Sequence, residues 1–207
     1  MQRASCGHDC STGCSGVVEP KPIDHLRTTI ADLMRWFEGD DLRAAVIGGV
    51  AAGLQGRPRL TEDVDAVVFS DDASALIESA KLYGFTTRID DALDFSRRTR
   101  VLLLQHYTGV DVDISLGALP FEAEVVDRAE LIDIGELMIR IATPEDLVIM
   151  KALARRPEDI ADISGIVDVQ AELDVERIRF WVREFSSVLE MPEIFDDLER
   201  LLRRRKR

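Results

Sequence analysis

Val46-Ile-Gly-Gly-Val-Ala-Ala-Gly-Leu-Gln-Gly-Arg-Pro-Arg-Leu-Thr-Glu-Asp-Val-Asp-Ala-Val-Val-Phe69 is the stretch on which the reading of the fold turns. Ala44 to Ile47 is a short apolar run that stops at Gly48-Gly49, as a buried strand stops at a tight turn. A short helix and a loop follow, then a second strand that begins with two carboxylates. Adjacent glycines let the backbone approach a ligand closely, and they offer bare N–H groups at a helix start, where a phosphate is welcome. Asp63 and Asp65 are two residues apart, so on a strand they point to the same face. Two carboxylates side by side repel each other unless a cation sits between them. Val64 and Ala66 to Phe69 supply the apolar remainder of the strand.

Taken alone, Asp-x-Asp after a glycine turn also fits a Rossmann-like turn with solvated acids at the start of a strand. The whole stretch resembles the nucleotidyltransferase superfamily, whose signature is Gly-Gly or Gly-Ser at a strand-to-helix turn, then Asp-hydrophobic-Asp on the next strand. Within it, Gly56-x-Pro58-Arg59-x-Thr61-x-Asp63-Val64-Asp65 looks like the toxin-type nucleotidyltransferases of abortive-infection and toxin–antitoxin systems. The resemblance runs from Val46 to Asp162. It implies an α/β (α+β) nucleotidyltransferase fold, a mixed twisted sheet flanked by helices with a C-terminal helical region.

The rest of the chain extends the resemblance. Val101 to Tyr107 and Val110 to Ser115 are two strands joined by Thr108-Gly109, a hairpin signal. On the second, Asp111 and Asp113 share one face. The family pattern, Val-Asp-Ile followed by a turn and Pro-Phe-Glu, falls on Val112-Asp113-Ile114 and Pro120-Phe121-Glu122, and so prefers Asp113 to Asp111 as a third metal carboxylate. His106, on the neighbouring strand, reads as a core or edge histidine. Further on, Thr143 is placed as an N-cap, Pro144 at the first helical position and Asp146 where a capping box wants its acid. In the family a lysine after Pro-Glu-Asp-Leu reaches the nucleotide phosphates, and Lys151 matches it. Arg156-Pro157-x-Asp159-x-x-Asp162 continues the match, with polar residues that brace the helical region.

The resemblance implies an enzyme that moves a nucleoside monophosphate from ATP or another nucleoside triphosphate (NTP) to an acceptor hydroxyl. Two Mg²⁺ ions would be held by Asp63, Asp65 and Asp113, which would also carry catalysis. Gly48, Gly49, Arg59, Thr61 and Lys151 would bind the nucleotide. For a toxin-type enzyme the acceptor would be RNA, a tRNA end or a protein, and an antitoxin would be a partner. An antibiotic-modifying enzyme would use the same core on a small molecule. A degenerate relative would bind nucleotide or a partner without catalysis, against which the intact triad of carboxylates argues.

Composition bounds these readings. The chain has 207 residues, 46% of them hydrophobic and 31% charged, which suits one globular domain or one with a small appendage. No apolar run approaches a membrane span of about 20 residues. There is no signal-like apolar segment at the N-terminus, and three cysteines fit a reducing cytoplasm. The net charge of −13 argues against general nucleic-acid binding, though a local basic patch can still hold a tRNA end. The organisation expected is a disordered leader over 1–21, a nucleotidyltransferase core over 22–142 and a helical region over 143–207 packed on it. Cys6, Cys10 and Cys14, with His8, lie in the leader. They lack the paired Cys-x-x-Cys knuckles of a zinc site. Pro22 opens a helix with its apolar stripe at Ile23, Leu26, Ile30, Leu33, Met34 and Phe37. Phe85 to Ile89 reads as a strand, Asp90 to Phe95 as a turn, and Arg97, Arg98 and Arg100 as a basic loop.

Overall fold

The computed structural model describes residues 23–204. The leader with its three cysteines and His8, the helix-opening Pro22 and the final three basic residues lie outside the described residues. A 3₁₀ turn at Asp24–Leu26 leads into α1 (Arg27–Gly39). There follow β1 (Ala44–Ile47), α2 (Gly48–Gln55), β2 (Asp63–Val68), α3 (Ala73–Leu82), β3 (Phe85–Thr87), α4 (Ala92–Thr99), β4 (Val101–His106), β5 (Asp111–Leu116) and α5 (Pro120–Arg128). The chain continues through β6 (Glu130–Asp133), β7 (Met138–Ile141), α6 (Pro144–Ala154), α7 (Pro157–Val169), α8 (Val175–Val188) and α9 (Glu193–Arg204).

Among the described residues, seven strands form one mixed sheet in the order β3-β4-β5-β2-β1-β7-β6. The hairpin read from Thr108-Gly109 is present, with β4 antiparallel to β5. β5 runs parallel to β2, and β1 runs antiparallel to β2 and parallel to β7. The β2–β5 register sets Asp63 opposite Asp111 and Asp65 opposite Asp113. Since side chains alternate along a strand, all four carboxylates share one face of the sheet. Val64, Ala66, Val112 and Ile114 occupy the other face and are fully buried.

The core explains why the strands stay in that register, because a slip of one residue would carry every carboxylate into the apolar layer. α1 buries Ile30, Leu33 and Phe37 of the expected stripe, with Trp36 added and Met34 only partly buried. The Trp36 ring lies 5.7 Å from that of Phe85 on β3, and its Nε1 donates to Ser79 Oγ at 2.9 Å. His106 is buried in the core as its position suggests. Its Nε2 lies 2.9 Å from Asp32 Oδ2, and its Nδ1 meets the hydroxyls of Thr29 and Thr108.

Two helices differ from the sequence expectation. The stretch read as a turn and a basic loop is α4, which buries Ala92 and Ser96 and ends at Arg100 in the left-handed conformation, φ 60°. Two buried positions in eight residues are too few to give a visible periodicity. α5 starts at Pro120, in the Pro-Phe-Glu segment read only as a family marker. The Glu122 carboxylate accepts from the N–H groups of Ala118 and Leu119, capping the helix start, and Phe121, Val125 and Val126 are buried. α6 begins as expected, with Thr143 Oγ1 accepting from Asp146 N. The Asp146 carboxylate, however, turns to the guanidinium groups of Arg128 and Arg177. No described helix is long and apolar enough to cross a membrane.

Candidate active site

β1 ends at the turn that the sequence marks most strongly. Ile47 pairs with Asp65, so Gly48 follows directly beside the second carboxylate of β2. Gly48 has φ +65°, and a Cβ built on it would lie 1.9 Å from Asp65 Oδ2. A Cβ on Gly49 would lie 2.6 Å from Thr61 Oγ1 and 3.0 Å from Arg59 Nη2. Both positions therefore exclude a side chain, and Gly48 also needs the left-handed backbone that only glycine adopts without strain. The result is a bare backbone turn at the N-terminus of α2, against the acidic face.

The segment between α2 and β2 supplies the next shell of contacts. Thr61 Oγ1 donates to Asp63 Oδ1 at 2.8 Å. His25 Nε2 lies 2.8 Å from the carbonyl oxygen of Thr61, fixing the loop from the other side. Arg59 grips Asp162 of α7 with two hydrogen bonds, Nε to Oδ1 at 2.8 Å and Nη2 to Oδ2 at 3.0 Å. Arg59, Leu60, Thr61, Asp63, Gly109 and Asp111 line an open cleft of about 630 Å³.

Electrostatics divide the four carboxylates. Asp65 is pushed up to about 6, first by burial and then by the charges of Asp63 and Asp113, with the Gly49 N–H acting in the other direction. Asp113 is also raised, chiefly by burial, although Arg88 opposes the shift. Asp111 is held below the usual range by the hydrogen bond from Gln105 and by Arg88. Asp113 feels the charges of Asp63 and Asp111 and acts in turn on Asp65, while Arg88 pairs with both Asp111 and Asp113.

The expected nucleotide-binding residues fall into two groups. Gly48, Gly49, Arg59 and Thr61 come together beside Asp63 and Asp65. Lys151 lies beneath them, only 4% exposed, its Nζ 2.7 Å from Asp162 Oδ2 and 3.1 Å from Asp159 Oδ1. Arg156 closes the chain of charges by donating to both oxygens of Asp159. Burial pushes the Asp159 carboxyl up, but the hydrogen bonds from Arg156 and Lys151 outweigh it and hold the group below its ordinary value. The two aspartates that enclose the Lys151 ammonium, 8 and 11 residues on, belong to α7 and to the polar set the resemblance marks as bracing the helical region. Arg88 is a residue the sequence reading passed over. It stands after β3, with its N–H donating to Leu103 O, and its guanidinium ion-pairs with Asp111 at 2.5 Å and with Asp113. No motif marks it, since only the register of three strands brings it to Asp113.

Among the described residues, no group of three or more His, Cys, Asp or Glu side chains stands assembled around a metal position. The donors themselves suit a hard divalent cation. They are carboxylate oxygens on adjacent strands of one face, and burial together with their mutual repulsion raises Asp65, a condition that a cation relieves.

A family model described as "Nucleotidyl transferase of unknown function (DUF2204)" matches residues 26–204. An antigenic nucleotidyltransferase-like protein from Paracoccidioides brasiliensis has a similar structure, at 17% identity and a TM-score of 0.53, with 85% of this chain and 93% of that chain covered. The antibiotic-resistance factor ANT(2'')-Ia is also similar, at 14% identity and a TM-score of 0.55, with 82% of this chain and 96% of that chain covered. These likenesses show the fold. No curated protein matches the sequence.

Two outcomes follow from the charges. Lys151→Met is expected to lower stability by about 2 kcal/mol, because it removes the buried cation between Asp159 and Asp162 and leaves each carboxylate with one arginine. A urea midpoint equal to that of the wild type would show that the ammonium is no strut. The second concerns Asp65. Its folded value of about 6 lies above the ordinary 3.8, so the folded state binds more proton between those values. Stability therefore falls as pH rises through that window, and the penalty is complete above it. In chelator-treated protein, Asp65→Asn should raise Tm at pH 7.5, and the gain should vanish near pH 4. A gain independent of pH would mean that charge is not its source.

Proposed function

The chain belongs to the nucleotidyl transferase family of unknown function DUF2204, and on that premise we propose that the acidic face of β2 and β5 is where its nucleotidyl transfer takes place. The observation that carries this reading is the register. It sets Asp65 opposite Asp113 and beside the Gly48 turn. In the transfer, an acceptor oxygen bonds to the α-phosphorus of an NTP. The bond from that phosphorus to the bridging oxygen breaks, and pyrophosphate leaves with the electron pair. Two Mg²⁺ ions, held by Asp63, Asp65 and Asp113, would supply positive charge to the attacking and leaving oxygens.

The chain's own residues do the rest. Thr61 orients Asp63 through its hydroxyl. The N–H groups of Gly48 and Gly49 would receive the triphosphate at the start of α2, where the helix dipole favours negative charge, the Gly49 N–H then exchanging Asp65 for a phosphate oxygen. Arg59, held by Asp162, adds charge from the loop, and its guanidinium feels the field of Asp63. Arg156 acts on Asp65 electrostatically and is mostly exposed, so it supplies a further cation toward the phosphates. Lys151 contributes through Asp162, which it fixes under Arg59. Asp113 would also take the acceptor's proton.

The acceptor is proposed to be RNA, a tRNA end or a protein hydroxyl, as in the toxin-type enzymes whose Arg-x-Thr-x-Asp-x-Asp lead-in this chain carries, with an antitoxin as partner. A small-molecule acceptor is the second reading. The net charge of −13 favours it, and the structural likeness to an antibiotic-resistance factor is consistent with it. Incubation with each α-labelled NTP, Mg²⁺ and total RNA, or an aminoglycoside panel, separates them by where the label goes.

The choice of third carboxylate has its own test. Asp113→Asn is expected to lose nearly all transfer at saturating Mg²⁺, while Asp111→Asn keeps much of it. The two stand one strand repeat apart, about 6.5–7 Å between Cα atoms, too far for one to replace the other. The reverse ranking would move the ligand to Asp111, and two mild effects would sink a three-carboxylate site.

A further inference from the structure

Arg88 is the cation nearest the acidic face that the proposed chemistry leaves without a role. Its position is fixed by the sheet. Thr87 pairs with Leu104 and Leu103 pairs with Asp113, while Arg88 N donates to Leu103 O at 3.0 Å. Arg88, Leu103, Asp113 and Asp65 therefore lie in one row across the sheet. The guanidinium takes Asp111 with Nη1 and Asp113 with Nη2. Its Nε is buried with no hydrogen-bond partner, so the side chain is held by these two carboxylates alone.

We propose that Arg88 is the built-in counter-ion of the third carboxylate, a positioning residue that competes with the divalent cation for Asp113 and thereby sets the metal affinity of the site. The inference rests on the nucleotidyl-transfer reading of Asp63, Asp65 and Asp113. A carboxylate row this dense repels itself, and a fixed guanidinium relieves the repulsion in the metal-free protein. The same charge opposes a second cation at short range. Asp111 then has a function of its own. Hydrogen-bonded by Gln105 at 3.0 Å, it keeps hold of Arg88 when Asp113 turns toward a metal, so the guanidinium is never left without a partner. An opposite role is chemically conceivable, in which the guanidinium orients Asp113 as an outer partner of a metal ligand. Loss of such a partner weakens metal binding by about 10–100-fold, so the two roles differ in sign.

The test is Mn²⁺ binding to metal-stripped full-length protein without nucleotide, read from the electron paramagnetic resonance signal of free Mn²⁺. Arg88→Gln, which keeps hydrogen-bonding capacity but no charge, should bind Mn²⁺ roughly tenfold more tightly than wild type. Arg88→Lys should stay within about twofold, since it keeps the charge. Equal or weaker binding by Arg88→Gln overturns the proposal. Arg88→Met serves in its place, with the same expectation and the same overturning result, if circular dichroism shows Arg88→Gln unfolded. Asp65→Asn separates the two levels. If it abolishes Mn²⁺ binding while Arg88→Gln leaves affinity unchanged, only the role of Arg88 fails. If Mn²⁺ binding survives Asp65→Asn, the metal reading of the site fails with it.

Discussion

Repulsion between carboxylates held on one face of β2 and β5 is the constraint to which the rest of this structure answers. Parallel strands lie about 4.8 Å apart, and the register leaves Asp65 and Asp113 no choice but to face each other. That register is itself held by Val64, Ala66, Val112 and Ile114, buried on the opposite face. Apolar burial thus holds together an arrangement that electrostatics opposes. The strain shows in Asp65, whose carboxyl is pushed up to about 6 by burial and its acidic neighbours. Each cation or N–H group nearby can be understood by how it answers this charge. Gly49 offers an N–H, Arg88 an ion pair, and Arg59 and Arg156 a field from the loop and from the start of α7.

The second level of organisation is the alternating series Arg59, Asp162, Lys151, Asp159 and Arg156. Its inner members are nearly inaccessible to solvent, where an unpaired charge would be costly and a paired one must be fully hydrogen-bonded. The series ties the loop before β2 to α6 and α7, so the Arg59 side of the cleft is braced by the helical part of the chain. Arg59 is held at Nε and Nη2 by the two oxygens of one carboxylate, a geometry that sets direction as well as distance. Altering the buried end of the series is therefore expected to be felt at the cleft.

How much of this was legible depended on whether a signal was local. The strand before Gly48, the carboxylate pair of β2, the β4–β5 hairpin and the Thr143-Pro144 start of α6 each follow from a few adjacent residues, and the structure has them. The family resemblance gave the superfamily and the mixed sheet with flanking helices. α4 stayed hidden because eight residues with two buried positions make no period. α5 stayed hidden because Glu122 caps it by reaching back to Ala118 and Leu119, a contact that motif matching does not see. Asp159 and Asp162 are marked by the resemblance as bracing residues, but their pairing with Lys151 and the position of Arg88 depend on how α6, α7 and the strands pack, which composition and spacing do not record. The cysteine cluster of the leader lies outside the described residues.

The measurement that bears most directly on the central claim is anomalous scattering from Mn²⁺ in crystals soaked with a non-hydrolysable NTP. The account predicts Mn²⁺ peaks within coordination distance of the Asp63 and Asp65 carboxylates, about 2.0–2.3 Å, with Asp113 turned toward them and the triphosphate lying over Gly48 and Gly49. Mn²⁺ and triphosphate bound away from the β2–β5 face, with Asp65 untouched, would contradict it.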